Sequence, residues 1–217
     1  MKNIFRIQKP LILIVCFLWC MVPFLGQADT KKIAAWFASS FQHEIRADYR
    51  AALKDVLKIL KAKPDHYIAN LRAGWLYYLQ GKYAESVVHY RKTTKLAPSA
   101  IEPRLGLMMP LMAMKDWKST EITALEVLQT DNRNYLSVSR LAYVLFQQGR
   151  YTDAAKAYAR LVDWYPGELD MKLGLAWSYL KMGKYKTAET LFREVLAVRK
   201  TDTGALSGLD MIEIRRN

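Results

Sequence analysis

"GWLYYLQGKYAESVVHY", Gly74–Tyr90, and "GLAWSYLKMGKYKTAETLF", Gly174–Phe192, are variations on one pattern, and "LAYVLFQQGRYTDAAKAYARL", Leu141–Leu161, is a third. Each is a helix-length run of mixed apolar residues, a glycine with a basic residue and a tyrosine after it, and a second helix-length run. Registered on Gly81, Gly149 and Gly183, the last two are 34 residues apart and the first two are twice that. The phase holds outward along the chain. Tyr49, Tyr83, Trp117, Tyr151 and Tyr185 are all aromatic, and three residues later Ala52, Ser86, Thr120, Ala154 and Ala188 are all small. Pro64, Pro98 and Pro166 close three of the five units. A fixed period of this length indicates stacked supersecondary units.

Each unit predicts two antiparallel helices. Glycine permits the left-handed conformation that ends the first, the next aromatic opens the second, and the small residue lets the backbones approach. One helix pair cannot bury both faces, so pairs must stack. The pattern resembles the tetratricopeptide repeat family over residues 33–202: Gly74, Ala142 and Ala176 occupy its small-residue position, Tyr90, Tyr158 and Phe192 its aromatic position, and Trp36 a frequent tryptophan position. Ser40, Met108, Asn132 and Lys200 depart from it. The resemblance implies an all-α, right-handed superhelical solenoid of five repeats (33–66, 67–100, 101–134, 135–168, 169–202), and residues 203–214 read as a capping helix. In the third unit Pro110 interrupts a methionine-rich helix (Met108, Met109, Met112, Met114) and Lys115 replaces the turn glycine. Proline should kink that helix.

The first helix of each unit is apolar nearly all round. Position 5 of the unit carries Phe37, Leu71, Leu105 and Leu173, position 9 carries Phe41, Trp75, Met109, Tyr143 and Trp177, and position 12 carries Tyr78, Met112, Phe146 and Leu180. Ser139 and Glu44 break the stripe. By the resemblance this stripe lines the concave inner face. An apolar surface of that extent marks an interaction site, expected to take a peptide, a helix or a second copy of the chain; burial of the stripe against neighbouring repeats is the competing reading. Some family members clamp a terminal carboxylate on this face with Lys, Arg and Asn. Those residues are absent from positions 5 and 9, with only Arg72 and Arg140 at position 6 suggestive.

Residues 1–28 stand apart. Lys2, Arg6 and Lys9 precede the apolar "LILIVCFLWCMVPFLG", Leu11–Gly26, and small residues Gly26 and Ala28 follow in the manner of a cleavage site. This predicts a bacterial secretory signal peptide cut before Asp29, with an uncleaved anchor as the alternative. Cys16 and Cys20 both fall inside it, so residues 29–217 have no thiol. The formal charge of +13 falls to +10 without the three basic residues. A basic exported domain meets anionic lipid or envelope polymer more readily than nucleic acid. Lys82, Arg150 and Lys184 after the turn glycines form the candidate basic edge for that role. His43, His66 and His89 share no face and no metal-ligand spacing, no phosphate loop exists, and no cofactor or catalytic site is expected.

Overall fold

The computed structural model describes residues 29–216. The described residues form α1 (29–45), α2 (Tyr49–Ala62), α3 (Tyr67–Leu79), α4 (Tyr83–Leu96), α5 (Glu102–Ala113), α6 (Trp117–Thr130), α7 (Tyr135–Gln147), α8 (Tyr151–Trp164), α9 (Leu169–Lys181), α10 (Tyr185–Val198) and α11 (Thr203–Arg216), with no strand among them. The expected signal segment lies outside the described residues. No described helix is long and apolar enough to cross a membrane.

The repeating aromatic is the first residue of α2, α4, α6, α8 and α10. The small residue three positions later is fully buried in all five cases. The turns close identically: the N–H groups of Asp48, Lys82, Asp116, Arg150 and Lys184 each donate to the carbonyl five residues earlier at 2.9 Å. That closure demands a left-handed residue just before the donor. Gly81, Gly149 and Gly183 supply it with φ of 71°, 76° and 75°, whereas Ala47 and Lys115 adopt it at φ 57° without glycine's freedom. At those two turns the Cβ clash costs about 1–2 kcal/mol, and aspartate compensates: Asp48 and Asp116 carboxylates accept from Ala51 and Ser119 N–H at 3.0 and 3.1 Å, capping α2 and α6.

The chain divides into two compact units, residues up to Ala69 and Asn70 onward. In the first, α1 meets α2 where His43 Nε2 lies 3.9 Å from Asp55, and Ala52, Val56 and Ile59 are fully buried. Phe37 packs edge-on to His66 at 5.4 Å. In the second, consecutive helices from α4 to α11 pack on one another, and α5 with α7, α7 with α9 and α9 with α11 also touch. Its first-of-pair helices therefore form one continuous layer, the arrangement of a helical repeat solenoid. The layer ends in α11, which packs on both α9 and α10.

α5 runs unbroken through Pro110, which is buried. The expected weak point is thus accommodated inside the core. The methionines divide: Met108 is fully buried, Met109 and Met112 half-buried, and Met114 is 50% exposed.

Candidate functional site

The stripe of the second unit does not behave as one surface. Leu71 and Trp75 on α3 are half-buried against Val87, Tyr90, Leu107 and Leu111. Trp75 stacks on Tyr78 at 5.8 Å, and Tyr78 in turn lies 5.8 Å from Tyr83. Leu105, Met109 and Met112 on α5 are half-buried. Tyr143 on α7 is 41% exposed. Leu180, expected with them, is only 3% exposed and belongs to the last core cluster beside Ala205 and Ile212 of α11. The capping helix covers it. Phe37 (half-buried) and Phe41 (49% exposed) belong to the first unit.

Between α7 and α9 the stripe opens into a concave pocket of about 390 Å³. Four expected residues, Tyr143, Phe146, Leu173 and Trp177, form its walls. Tyr143 leans edge-on to Trp117 at 6.0 Å, Phe146 to Tyr151 at 5.3 Å, and Trp177 to Phe192 at 5.5 Å. Each aromatic wall is thus braced by an aromatic of a second helix. Tyr158 and Gly174 form the floor. A Cβ on Gly174 would lie 2.5 Å from the Tyr158 ring, so glycine is what admits that ring. Burial pushes the Tyr158 hydroxyl up to about 12, keeping it a neutral donor.

Gln147, Asp170 and Lys181 complete the rim. Asp170 is engaged by the Arg199 guanidinium. Lys181 has no carboxylate within ion-pairing range among the described residues.

One turn before Tyr143, Arg140 is half-buried. Its Nη1 donates to the Leu105 carbonyl on α5. Burial pushes its pKa down from the ordinary value, and the neighbouring Tyr78 and Tyr90 hydroxyls oppose that. The guanidinium therefore sits among stripe residues of three successive first-of-pair helices.

The expected basic edge is only partly free. Lys82, Arg150 and Lys184 precede α4, α8 and α10 as cap residues. Lys82 lies 5.9 Å from the Tyr77 ring and Lys184 5.5 Å from that of Tyr179. Arg150 instead pairs with Glu121 at 2.6 Å and Asp153 at 3.2 Å, so its charge is largely spoken for within the protein.

Sequence reasoning missed Tyr158, Gly174, Gln147, Asp170 and Lys181, and gave Arg140 no role beyond a clamp remnant. A signal for the floor existed. Tyr90, Tyr158 and Phe192 are each followed 16 residues later by Gly106, Gly174 and Gly208. In each pair the ring occupies the space a glycine Cβ would take.

Among the described residues no cluster of metal-ligating side chains occurs. Family models described as tetratricopeptide repeat match residues 46–101 and 145–209. No curated protein matches the sequence. Solved structures are similar in fold. A tetratricopeptide repeat protein from Parabacteroides merdae aligns with TM-score 0.78 at 13% identity, over 85% of this chain and 73% of its own. MamA from Desulfovibrio magneticus aligns with TM-score 0.74 at 17% identity, over 79% and 97%. YrrB, described as having an unusual peptide-binding site, aligns with TM-score 0.73 at 15% identity, over 84% and 98%.

Proposed function

Because this chain carries tetratricopeptide repeats, we propose that it is a non-enzymatic protein-interaction scaffold of the bacterial cell envelope, holding an apolar peptide or helix on the inner layer of the solenoid. The observation that carries this is the pocket between α7 and α9, whose aromatic walls include the 41%-exposed Tyr143. An open pocket with tyrosine and tryptophan walls is where binding energy concentrates. A peptide-binding neighbour of the same fold supports a peptide as the ligand. The basic-edge alternative, association with anionic lipid or polymer, is weakened by the ion pairs of Arg150.

A displayed library of random peptides selected on the full chain should enrich for bulky apolar residues. Tyr143→Ala should lower the affinity of a selected peptide about 10-fold, which is about 1.4 kcal/mol. Its loss of folding stability should stay near 1 kcal/mol, because much of the ring is already in water. A library that returns no apolar consensus would count against the scaffold reading.

The location rests on the basic and apolar character of residues 2–26. Protein recovered from the envelope fraction should have an intact mass beginning near Asp29. A full-length mass in the membrane pellet would replace cleavage with anchoring, and recovery from the cytosol would remove the envelope from the proposal.

A further inference from the structure

We propose that the segment held by this solenoid carries an acidic side chain beside a bulky apolar one, the carboxylate meeting Arg140 and the apolar group entering the pocket between Tyr143 and Trp177. The inference rests on the protein-binding reading above and names the chemistry of the partner.

Arg140 is the anomaly that points there. A guanidinium has five N–H donors, and the bond to the Leu105 carbonyl is the one hydrogen bond Arg140 makes among the described residues. No carboxylate of those residues lies within ion-pairing range. Four other arginines of the same unit have one, Arg104 with Glu126, Arg150 with Glu121, Arg193 with Glu189 and Arg199 with Asp170, and Arg91, Arg133 and Arg160, which make no such pair among the described residues, are exposed. Arg140 is half-buried, whereas Arg150, Arg193 and Arg199 are exposed. A charge withdrawn from water is costly unless an opposite charge meets it. The groups beside it, Tyr78 and Tyr90, are phenols and not carboxylates, and burial pushes the Tyr90 hydroxyl up from its ordinary value, so it brings no negative charge at neutral pH. No described residue supplies the counter-charge, which leaves it to a bound partner.

Position fixes what else that partner needs. Arg140 and Tyr143 are three residues apart on α7, hence neighbours on one face, about 5–6 Å between Cβ atoms. A carboxylate on Arg140 and an apolar group against Tyr143 therefore sit about one helical turn apart in the partner. The other charges near the pocket agree in sign. Asp170 is neutralised by Arg199, while Lys181 at the rim has no carboxylate partner among the described residues. The carboxylate belongs to a side chain and not to a chain end, because apolar stripe residues continue on both sides of Arg140: Trp75 and Tyr78 before it, Tyr143 and Trp177 after it. A segment lying along that stripe passes Arg140 and does not stop there.

The peptide selection on the full chain provides the test. Wild type should enrich Asp or Glu three or four residues from a bulky apolar residue, and Arg140→Gln should lose the acidic preference while keeping the apolar one. One selected peptide is then synthesised with its acid as Glu or as Gln. Glu→Gln in the peptide and Arg140→Gln in the protein should each weaken binding about 10-fold, and together by no more than either alone. Arg140→Lys, which keeps the charge, should recover part of the loss. A purely structural strut between α7 and α5 would shift the melting curve without changing which peptides are selected. Apolar enrichment with no acidic preference in wild type overturns the inference and leaves the scaffold reading standing; no enrichment of either kind defeats both. Loss of binding on amidating the peptide's C-terminus would make the carboxylate terminal and overturn the side-chain assignment. Self-association that Arg140→Gln leaves intact and the acidic peptide does not displace would assign the groove to a second copy.

Discussion

Phe192→Ala is expected to destabilise the protein by about 3–5 kcal/mol in denaturant unfolding. The ring is fully buried and joins three helices. It lies in the cluster of Ala176 and Leu180 from α9, Ala188 and Val195 from α10, and Ala205 and Ile212 from α11. Trp177 stands edge-on to it at 5.5 Å. On its far side is Gly208, whose Cβ would fall 2.2 Å from the ring. With glycine there, no side chain can swing in to fill the cavity, so the loss belongs at the high end for an aromatic truncation. The capping helix depends on this ring for its docking, so the denaturant slope should fall as well if α11 detaches before the rest. A loss below about 1 kcal/mol would mean that α11 does not dock as described. The same change removes the brace behind one pocket wall, which is why Tyr143→Ala, on the exposed wall, separates binding from folding more cleanly than Trp177→Ala.

The architecture was legible because the repeat couples several independent signals at one period. The turn glycine, the aromatic after it and the small residue three later each have a single geometric job, and each recurs in phase. Even where glycine is missing, at Ala47 and Lys115, the neighbouring positions held the turn in place. The groove was legible only as a face. Periodicity says which residues share an azimuth, but not how far the adjoining repeat covers each one. Leu180 and Tyr143 occupy the same predicted stripe, yet α11 covers the first while the second stays exposed. Arg150 illustrates the same limit for charge: its partner Glu121 is 29 residues away in sequence and comes near only when the solenoid stacks. Pro110 was read as a fault because a lone proline breaks a lone helix. Buried among Leu107, Met108 and Leu111, it is held by packing that local rules do not count.

Gly106→Leu puts the hidden part of the pattern to the test. In an isolated helix, leucine in place of an interior glycine would stabilise by about 0.8 kcal/mol. Here the expected sign is reversed, with a loss of about 3 kcal/mol. A Cβ at Gly106 would lie 2.3 and 2.6 Å from ring carbons of Tyr90. Tyr90 is 3% exposed and packed against Val87, Leu107 and Leu111, so its ring has nowhere to move. The aromatic on the second helix of one repeat and the glycine on the first helix of the next thus form a single steric unit. The next interface down the chain is built differently: Ala124 stands where Tyr90 does, and Arg140 where Gly106 does. The bulk has moved from one helix to the other, and in moving it has become a cation. A double-mutant cycle decides whether this reading of the interface holds. In a Tyr90→Ala background, which opens the space, Gly106→Leu should recover stability and the coupling should reach about 2–3 kcal/mol. Additive losses would show that ring and glycine act independently and that the 16-residue spacing has no packing meaning. A large coupling would instead tie the fold to the site, since the interface that carries Arg140 in place of glycine holds a half-buried cation that meets no carboxylate among the described residues.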